Sequence, residues 1–216
     1  MIQQLHAGAA AGAARSAHSA AVTAPQLQAL IDSVPATTEF TNNRRWFYMG
    51  LGFGVVSIVF ALAMLNLGKI TGALVFAAMA AGFFFAAYQH RHSGQQVFMT
   101  LSPTQLWVHN LSAPVNLQDV TDLRYKDEGF IGMLTLTLRP GTTLPTHKPV
   151  WQIFASQAIA VKRTEPQIRV MSAGLRSGGK TLDIDDVVAL FGAYLEAAQA
   201  RQQLDSILAA EHAAVI

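Results

Sequence analysis

Two long apolar runs without formal charge dominate the pattern of hydrophobic and polar positions along the chain. Trp46 to Gly68 reads WFYMGLGFGVVSIVFALAMLNLG, and Ile70 to Tyr88 reads ITGALVFAAMAAGFFFAAY, with Lys69 between them. Each run approaches the roughly 20 residues with which a helix crosses a hydrocarbon core about 30 Å thick. Trp46, Phe47, Tyr48 and Tyr88 stand at the outer ends, where amphipathic rings favour a membrane–water interface. The pattern therefore predicts two transmembrane helices, at about 46–66 and 70–89, within a hairpin segment 44–92. The connection Asn66-Leu67-Gly68-Lys69 is short, which makes the helices antiparallel neighbours and puts both tails on one side. Arg44, Arg45 and Arg91 at the open end outnumber the single Lys69 at the tip. That asymmetry places both termini in the cytoplasm.

Small residues recur along both helices at spacings of four: Gly50/Gly54 on the first, Ala73/Ala77 and Ala78/Gly82 on the second. In lipid, close backbone approach through such residues replaces the hydrophobic force between helices. They are expected to close the hairpin. A spare small-residue face joining a second copy or another protein is the alternative. Ser57 and Asn66 are the notable polar side chains of the spans, and neither ionises. A proton or ion path needs ionisable groups within the membrane, so the hairpin reads as an anchor.

Periodicity changes on either side of the hairpin. The arm 1–43 opens with a low-complexity stretch at 7–21, AGAAAGAARSAHSAA, and no compact apolar block of a secretory signal precedes residue 24. Leu27, Leu30, Ile31 and Val34 then fall at helical spacing between Pro25 and Pro35. This short amphipathic helix, 25–34, is expected to dock on the rest of the chain, on the membrane or on a partner. After Arg91 the runs become short and alternating. Val97–Leu101, Leu106–His109, Val115–Tyr125, Leu134–Leu138, Val150–Phe154 and Ile168–Met171 are predicted strands. A closing helix opens at Asp183, whose carboxylate suits an N-cap, with a core stripe at Ile184, Val187, Val188, Phe191, Tyr194, Leu195 and Ala198. Leu204, Ile207 and Leu208 fall nearly opposite that stripe. Either the helix breaks near Gln202, or a tail at 203–216 carries a second apolar face.

Strands followed by one long helix predict an α+β domain, a small curved antiparallel sheet closed by a C-terminal helix. The opening VFMTLSPTQLWVHN, the segment VNLQDVTDLRYKD and the closing LDIDDVVALFGAYLEAAQAR resemble the bacterial pleckstrin-homology-like domains that follow a two-helix membrane hairpin. The resemblance covers a domain at 95–202 and implies a fold that binds proteins or lipids and carries no catalysis.

Composition narrows the remaining classes. Of 216 residues 51% are hydrophobic and only 13% charged, so apolar surface must be hidden outside a small water-facing globule. A net charge of +2 gives no basis for nucleic-acid binding. The absence of cysteine removes disulfides, thiolate chemistry and Cys-type metal sites. Gly174 to Thr181, GLRSGGKT, fits the phosphate-loop spacing, with Gly174, Gly179, Lys180 and Thr181 at the defining positions. No second apolar strand ending in an acid follows it, so a Gly-rich connection is the favoured reading and a nucleotide-binding regulator the alternative. His90 and His92 flank Arg91 without further ligands nearby, and no metal or cofactor is expected. Arg44, Arg45, Trp46 and Arg91 are placed to meet anionic lipid headgroups. Leu27, Leu30, Ile31, Leu204, Ile207 and Leu208 are the candidate partner surface. The whole reads as a non-enzymatic, membrane-anchored accessory protein for a protein partner or lipid, an immunity-type protein being one version. An oligomeric channel or transporter subunit is a further alternative.

Overall fold

The computed structural model describes residues 23–127, 131–151 and 156–215. The low-complexity stretch 7–21 and residues 152–154 of the predicted strand at 150–154 lie outside them. Residues 23–32 form helix α1. Strand β1 (Thr38–Asn42) follows, then the apolar helices α2 (Arg45–Asn66) and α3 (Ile70–Gln89). The remaining strands are β2 (Val97–Leu101), β3 (Gln105–Val108), β4 (Val115–Asn116), β5 (Val120–Asp127), β6 (Gly132–Leu138), β7 (Gln157–Val161), β8 (Gln167–Ser172), β9 (Leu175–Ser177) and β10 (Lys180–Thr181). Helix α4 (Ile184–Val215) closes the chain.

The strands form two antiparallel sheets, ordered β10-β9-β1-β2-β3-β4 and β5-β6-β8-β7. Strand β1 is the element that the pattern of the sequence conceals. It precedes the helix pair in sequence, yet it lies inside the larger sheet, with Thr38↔Leu101 and Phe40↔Met99 on one side and Thr41↔Arg176 on the other. The hairpin is thus an insertion between two neighbouring strands of one sheet. The folded domain does not begin after the hairpin; its sheet takes a strand from residues 38–42.

The core explains why β1 is held so firmly. Phe40 is fully buried and stacks on Phe191 of α4, ring centroids 5.7 Å apart. Around them gather Met99, Leu101, Leu106, Leu134, Leu136, Ile168, Leu175 and Val187, all with essentially no exposed surface. Two partners hold the Tyr194 hydroxyl. It lies 2.7 Å from Thr38 Oγ1 and donates to the Pro35 carbonyl at 2.9 Å. Residues on both sides of the β1 entry are therefore tied to α4, and Val34 joins the same core.

Helix α4 starts with reciprocal capping. The Asp186 backbone N–H donates to Asp183 Oδ1 at 2.7 Å, and the Asp183 N–H reaches Asp186 Oδ2 at 3.4 Å. Val187, Phe191, Tyr194, Ala197 and Ala198 form its buried stripe. Ile184 and Val188, expected in that stripe, stay about half exposed at 45% and 44%, because the stripe drifts away from the first turn. The helix runs unbroken past Gln202. At 1.5 Å per residue its 32 residues extend roughly 48 Å. Residues 150–151, the described part of a predicted strand, have no regular structure. The fourth strand of the smaller sheet is supplied instead by β7, a few residues later.

Within the hairpin, Gly50, Gly54, Ser57 and Ala61 of α2 face Ala73, Ala80 and Ala87 of α3. Their spacing by three, four or seven residues keeps each set on one face of its helix. The turn between the helices is a Schellman motif. Gly68 adopts φ 70°, its N–H meets the Leu65 carbonyl at 2.9 Å, and the Lys69 N–H meets that of Met64 at 2.9 Å. A left-handed position at this point explains the glycine.

Candidate functional site: the junction of hairpin and sheet

Short joints connect the helices to the sheet, and their side chains fix the junction. Only Asn43 and Arg44 separate β1 from α2. The Asn43 N–H donates to the Gly174 carbonyl at 3.0 Å, which ties the joint to the start of β9. Arg44 Nε donates to the Ser93 carbonyl at 2.9 Å, linking the start of α2 to the segment after α3. Gly94 has φ 84°, and a Cβ there would stand 3.3 Å from the Arg44 side chain and 3.4 Å from that of Arg176. Ser93 also lies 3.3 Å, Oγ to Nδ1, from the buried His90 at the end of α3. Arg91 lies over the Tyr88 ring, 3.9 Å from its centroid, and donates to the Tyr88 carbonyl at 3.0 Å. Arg45 lines a cavity of about 130 Å³ with Asn43, Tyr125, Gly174, Thr181 and Asp183. Arg44, Arg45 and Arg91 thus gather at one level, with Trp46, Tyr48 and Tyr88 beside them on the first and last turns of the helix pair.

The small residues of the hairpin divide in two. Gly50, Gly54 and Ala73 lie in the helix interface. A Cβ at Gly50 would stand 2.9 Å from the Phe83 carbonyl oxygen, and one at Gly54 would stand 2.8 Å from the Phe84 ring. Ala77 and Gly82, expected to pack in the same way, face outward; a Cβ at Gly82 would meet nothing within 4 Å. A helical period carries them off the interface that Ala73, Ala80 and Ala87 define. Gly82 and Gly50 instead help to line an apolar groove with Trp46, Met49, Phe53 and Phe83.

The segment Gly174–Thr181 is a β-hairpin. Strands β9 and β10 pair Ser177 with Lys180 across a two-residue turn at Gly178 and Gly179, with φ 55° and 81°. Two consecutive left-handed positions identify the turn class that joins tight hairpins and explain the glycine pair. A phosphate-binding loop instead wraps its N–H groups around the ligand and runs straight into a helix. The Lys180 ammonium is engaged by Asp186, 2.9 Å away. That hydrogen bond raises the lysine pKa and lowers that of Asp186.

The apolar positions at the two ends of the chain find each other. Leu27 and Ile31 of α1 are buried against Ala200 of α4, with Leu204 and Ile207 packed around them. Four of the six residues expected to meet a partner are therefore engaged within the chain, because α1 covers the second apolar face of α4. Leu30 and Leu208 remain 44% and 47% exposed. At the end of the sheets away from the hairpin, a cleft of about 470 Å³ separates Gly141–Leu144 from Lys162, Arg163 and Pro166. Among the described residues no group of three or more His, Asp or Glu side chains is placed to hold a metal ion.

Comparison of the chain with protein-family models, with curated proteins and with solved structures finds no match. The junction is a collar of backbone hydrogen bonds, arginines and aromatic rings, and it couples two apolar helices to the middle of a sheet.

Proposed function

We propose that this chain is a membrane-anchored interaction protein of the bacterial inner membrane, with both termini cytoplasmic and the sheet domain held close to the bilayer. The observation that carries this reading is the outward surface of the helix pair. Both helices are long and apolar enough to span a bilayer, yet only 22% and 17% of their most apolar windows are buried. The core helices of a water-soluble protein would be mostly covered. Here Phe53, Val55, Val59, Phe60, Leu62, Leu74 and Phe85 point away from the protein, a contiguous apolar surface that water does not tolerate. Lipid satisfies it, and the helical backbone satisfies its own polar groups.

The antiparallel sheets closed by α4 support a pleckstrin-homology-like reading of the domain, and with it recognition in place of catalysis. The recognition surface would lie away from the bilayer. Strand β7 starts at the junction end, beside Ser156, and runs five residues toward Lys162 and Arg163, a rise of about 17 Å. The cleft carrying these two cations, together with exposed Leu30 and Leu208, would therefore face the cytoplasm and suit an acidic protein partner. An immunity-type role, in which the partner is a toxin acting at the membrane, is one version of this function.

Purification of the tagged chain from native membranes in mild detergent, with amine crosslinking and mass spectrometry, tests the reading. The expected result is a stoichiometric protein crosslinked at Lys162. Co-purifying anionic lipid with no crosslinked protein would reject the protein partner in favour of lipid recognition at Arg44, Arg45 and Arg91.

A further inference from the structure

One aromatic side chain is left almost wholly exposed. Trp151 is 93% exposed, against 66% for the next large apolar residues, Leu67 and Ile70 at the tip of the helix pair. A tryptophan fully in water forfeits the burial of one of the largest apolar surfaces among the side chains. The chain is anchored at Lys148 before it and at Ala158 after it. Asn110, itself buried, donates from Nδ2 to the Lys148 carbonyl at 3.2 Å and to the Ala158 carbonyl at 2.8 Å. Its Oδ1 accepts from the Ala158 N–H at 2.8 Å, and its backbone carbonyl accepts from the Lys148 N–H at 2.9 Å. A single side chain thus clamps the chain before and after Trp151.

The clamp sits at the level of the junction. Ser156 Oγ donates to Asn42 Oδ1, on the last residue of β1. Val150, the neighbour of Trp151, lines one cavity with Ser156, Asn42, Gln96 and Val97. Asn42 stands three residues before α2, and Gln96 and Val97 lead into the first strand after α3. Trp151 is therefore displayed at the height where the helix pair enters the domain, alongside Trp46, Tyr48 and Tyr88. Tyr48 and Tyr88 are 59% and 60% exposed. That is where a bilayer's headgroup region would lie if the helices span it. Tryptophan favours this region because its ring is apolar and its N–H is polar. The exposed Lys148 nearby adds a cation that suits anionic headgroups.

We propose that Trp151 is a second membrane contact, seated in the headgroup–acyl boundary of the same bilayer that the hairpin spans. This rests on the membrane reading of α2 and α3. With the hairpin as one support and Trp151 as another, the sheet is held at a fixed tilt, and its far end, with Lys162 and Arg163, is turned to the cytoplasm.

The test uses the full chain in phosphatidylcholine–phosphatidylglycerol vesicles. Trp46→Phe with Trp107→Phe leaves Trp151 as the sole tryptophan. The expected result is blue-shifted emission, most of it lost when lipids brominated high on the acyl chain are used, and little of it lost to aqueous iodide. Emission characteristic of water, quenched by iodide and untouched by brominated lipid, would overturn the proposal, whether Trp151 is then free or set aside for a protein. Because the chain has no cysteine, Trp151→Cys carrying an environment-sensitive fluorophore gives the same readout should the double variant fail to fold. Alkaline carbonate extraction of the same vesicles reports on the hairpin by itself. Retention of the chain together with a water-exposed Trp151 would remove this contact and leave the hairpin standing. Release of the chain would remove the hairpin reading, and the contact with it.

Discussion

At the scale of single residues, two positions show how little room the fold leaves. Gly50 faces the backbone of α3, and a side chain there would meet a carbonyl oxygen that cannot move aside. Gly52, two residues on, has open space around its Cα. Gly50→Leu should therefore destabilise the helix pair by about 1–3 kcal/mol, the usual range for overpacking. Gly52→Leu should be close to neutral. Detergent-titrated unfolding of the purified protein measures both, and equal effects would show that the two helices do not meet through Gly50. Tyr194 makes a different demand. Burial raises its hydroxyl pKa above 10.0, while the hydrogen bond with Thr38 opposes part of the shift. Above about pH 10 an unfolded tyrosine ionises before the folded one, so the unfolded state then binds fewer protons. The contribution of Tyr194 is thus fully present below pH 10 and falls as pH rises through the folded value. Tyr194→Phe should flatten the alkaline loss of stability measured by thermal unfolding. An unchanged alkaline slope would count against the assignment.

At the scale of elements, the apolar helices and the strands with strict alternation were legible in the sequence, because each announces itself locally. Leu134 to Leu138 alternates, and charge is absent from Trp46 to Gly68. Asp183 likewise caps α4 as its chemistry suggests. Strand β1 was not legible. TEFTN offers a single fully buried residue, Phe40, and its strand character comes from two partners, β2 and β9, far away in sequence. Pairing of α1 with α4 was half legible: both apolar faces were visible, but nothing local says that Leu27 and Ile31 meet Leu204 and Ile207. The phosphate-loop pattern shows the converse. Its glycines serve a hairpin turn, a use that the same spacing permits. The β1 insertion makes a sharp prediction. A fragment beginning at residue 95 lacks a strand from the middle of its sheet and should aggregate. Joining residues 23–43 to 95–215 by a short flexible loop, with the helices removed, should restore a soluble fold, because Thr41 and Val97 are paired neighbours. Amide-resolved NMR distinguishes the two. A well-folded fragment without β1 would contradict the topology.

At the scale of the whole molecule, the features align along one axis. The apolar helices occupy one end, and the arginine and aromatic collar lies where they meet the sheet. The Lys162–Arg163 cleft and the packed pair of α1 and α4 occupy the other end. An insertion into the middle of a sheet transmits orientation better than a tether at a chain end, since the chain leaves β1 for α2 across two residues and returns from α3 to its partner β2 across seven. Such a design suits a protein whose task is to hold a recognition surface at a set height and tilt above a bilayer. Thiol accessibility in intact cells tests this arrangement most directly. Lys69→Cys, at the hairpin tip, should react with a membrane-impermeant maleimide added outside spheroplasts, while Gln105→Cys, exposed on the sheet, should react only after lysis. Labelling of Gln105→Cys from outside, or recovery of both variants in the soluble fraction, would contradict a hairpin that spans the membrane with its domain in the cytoplasm.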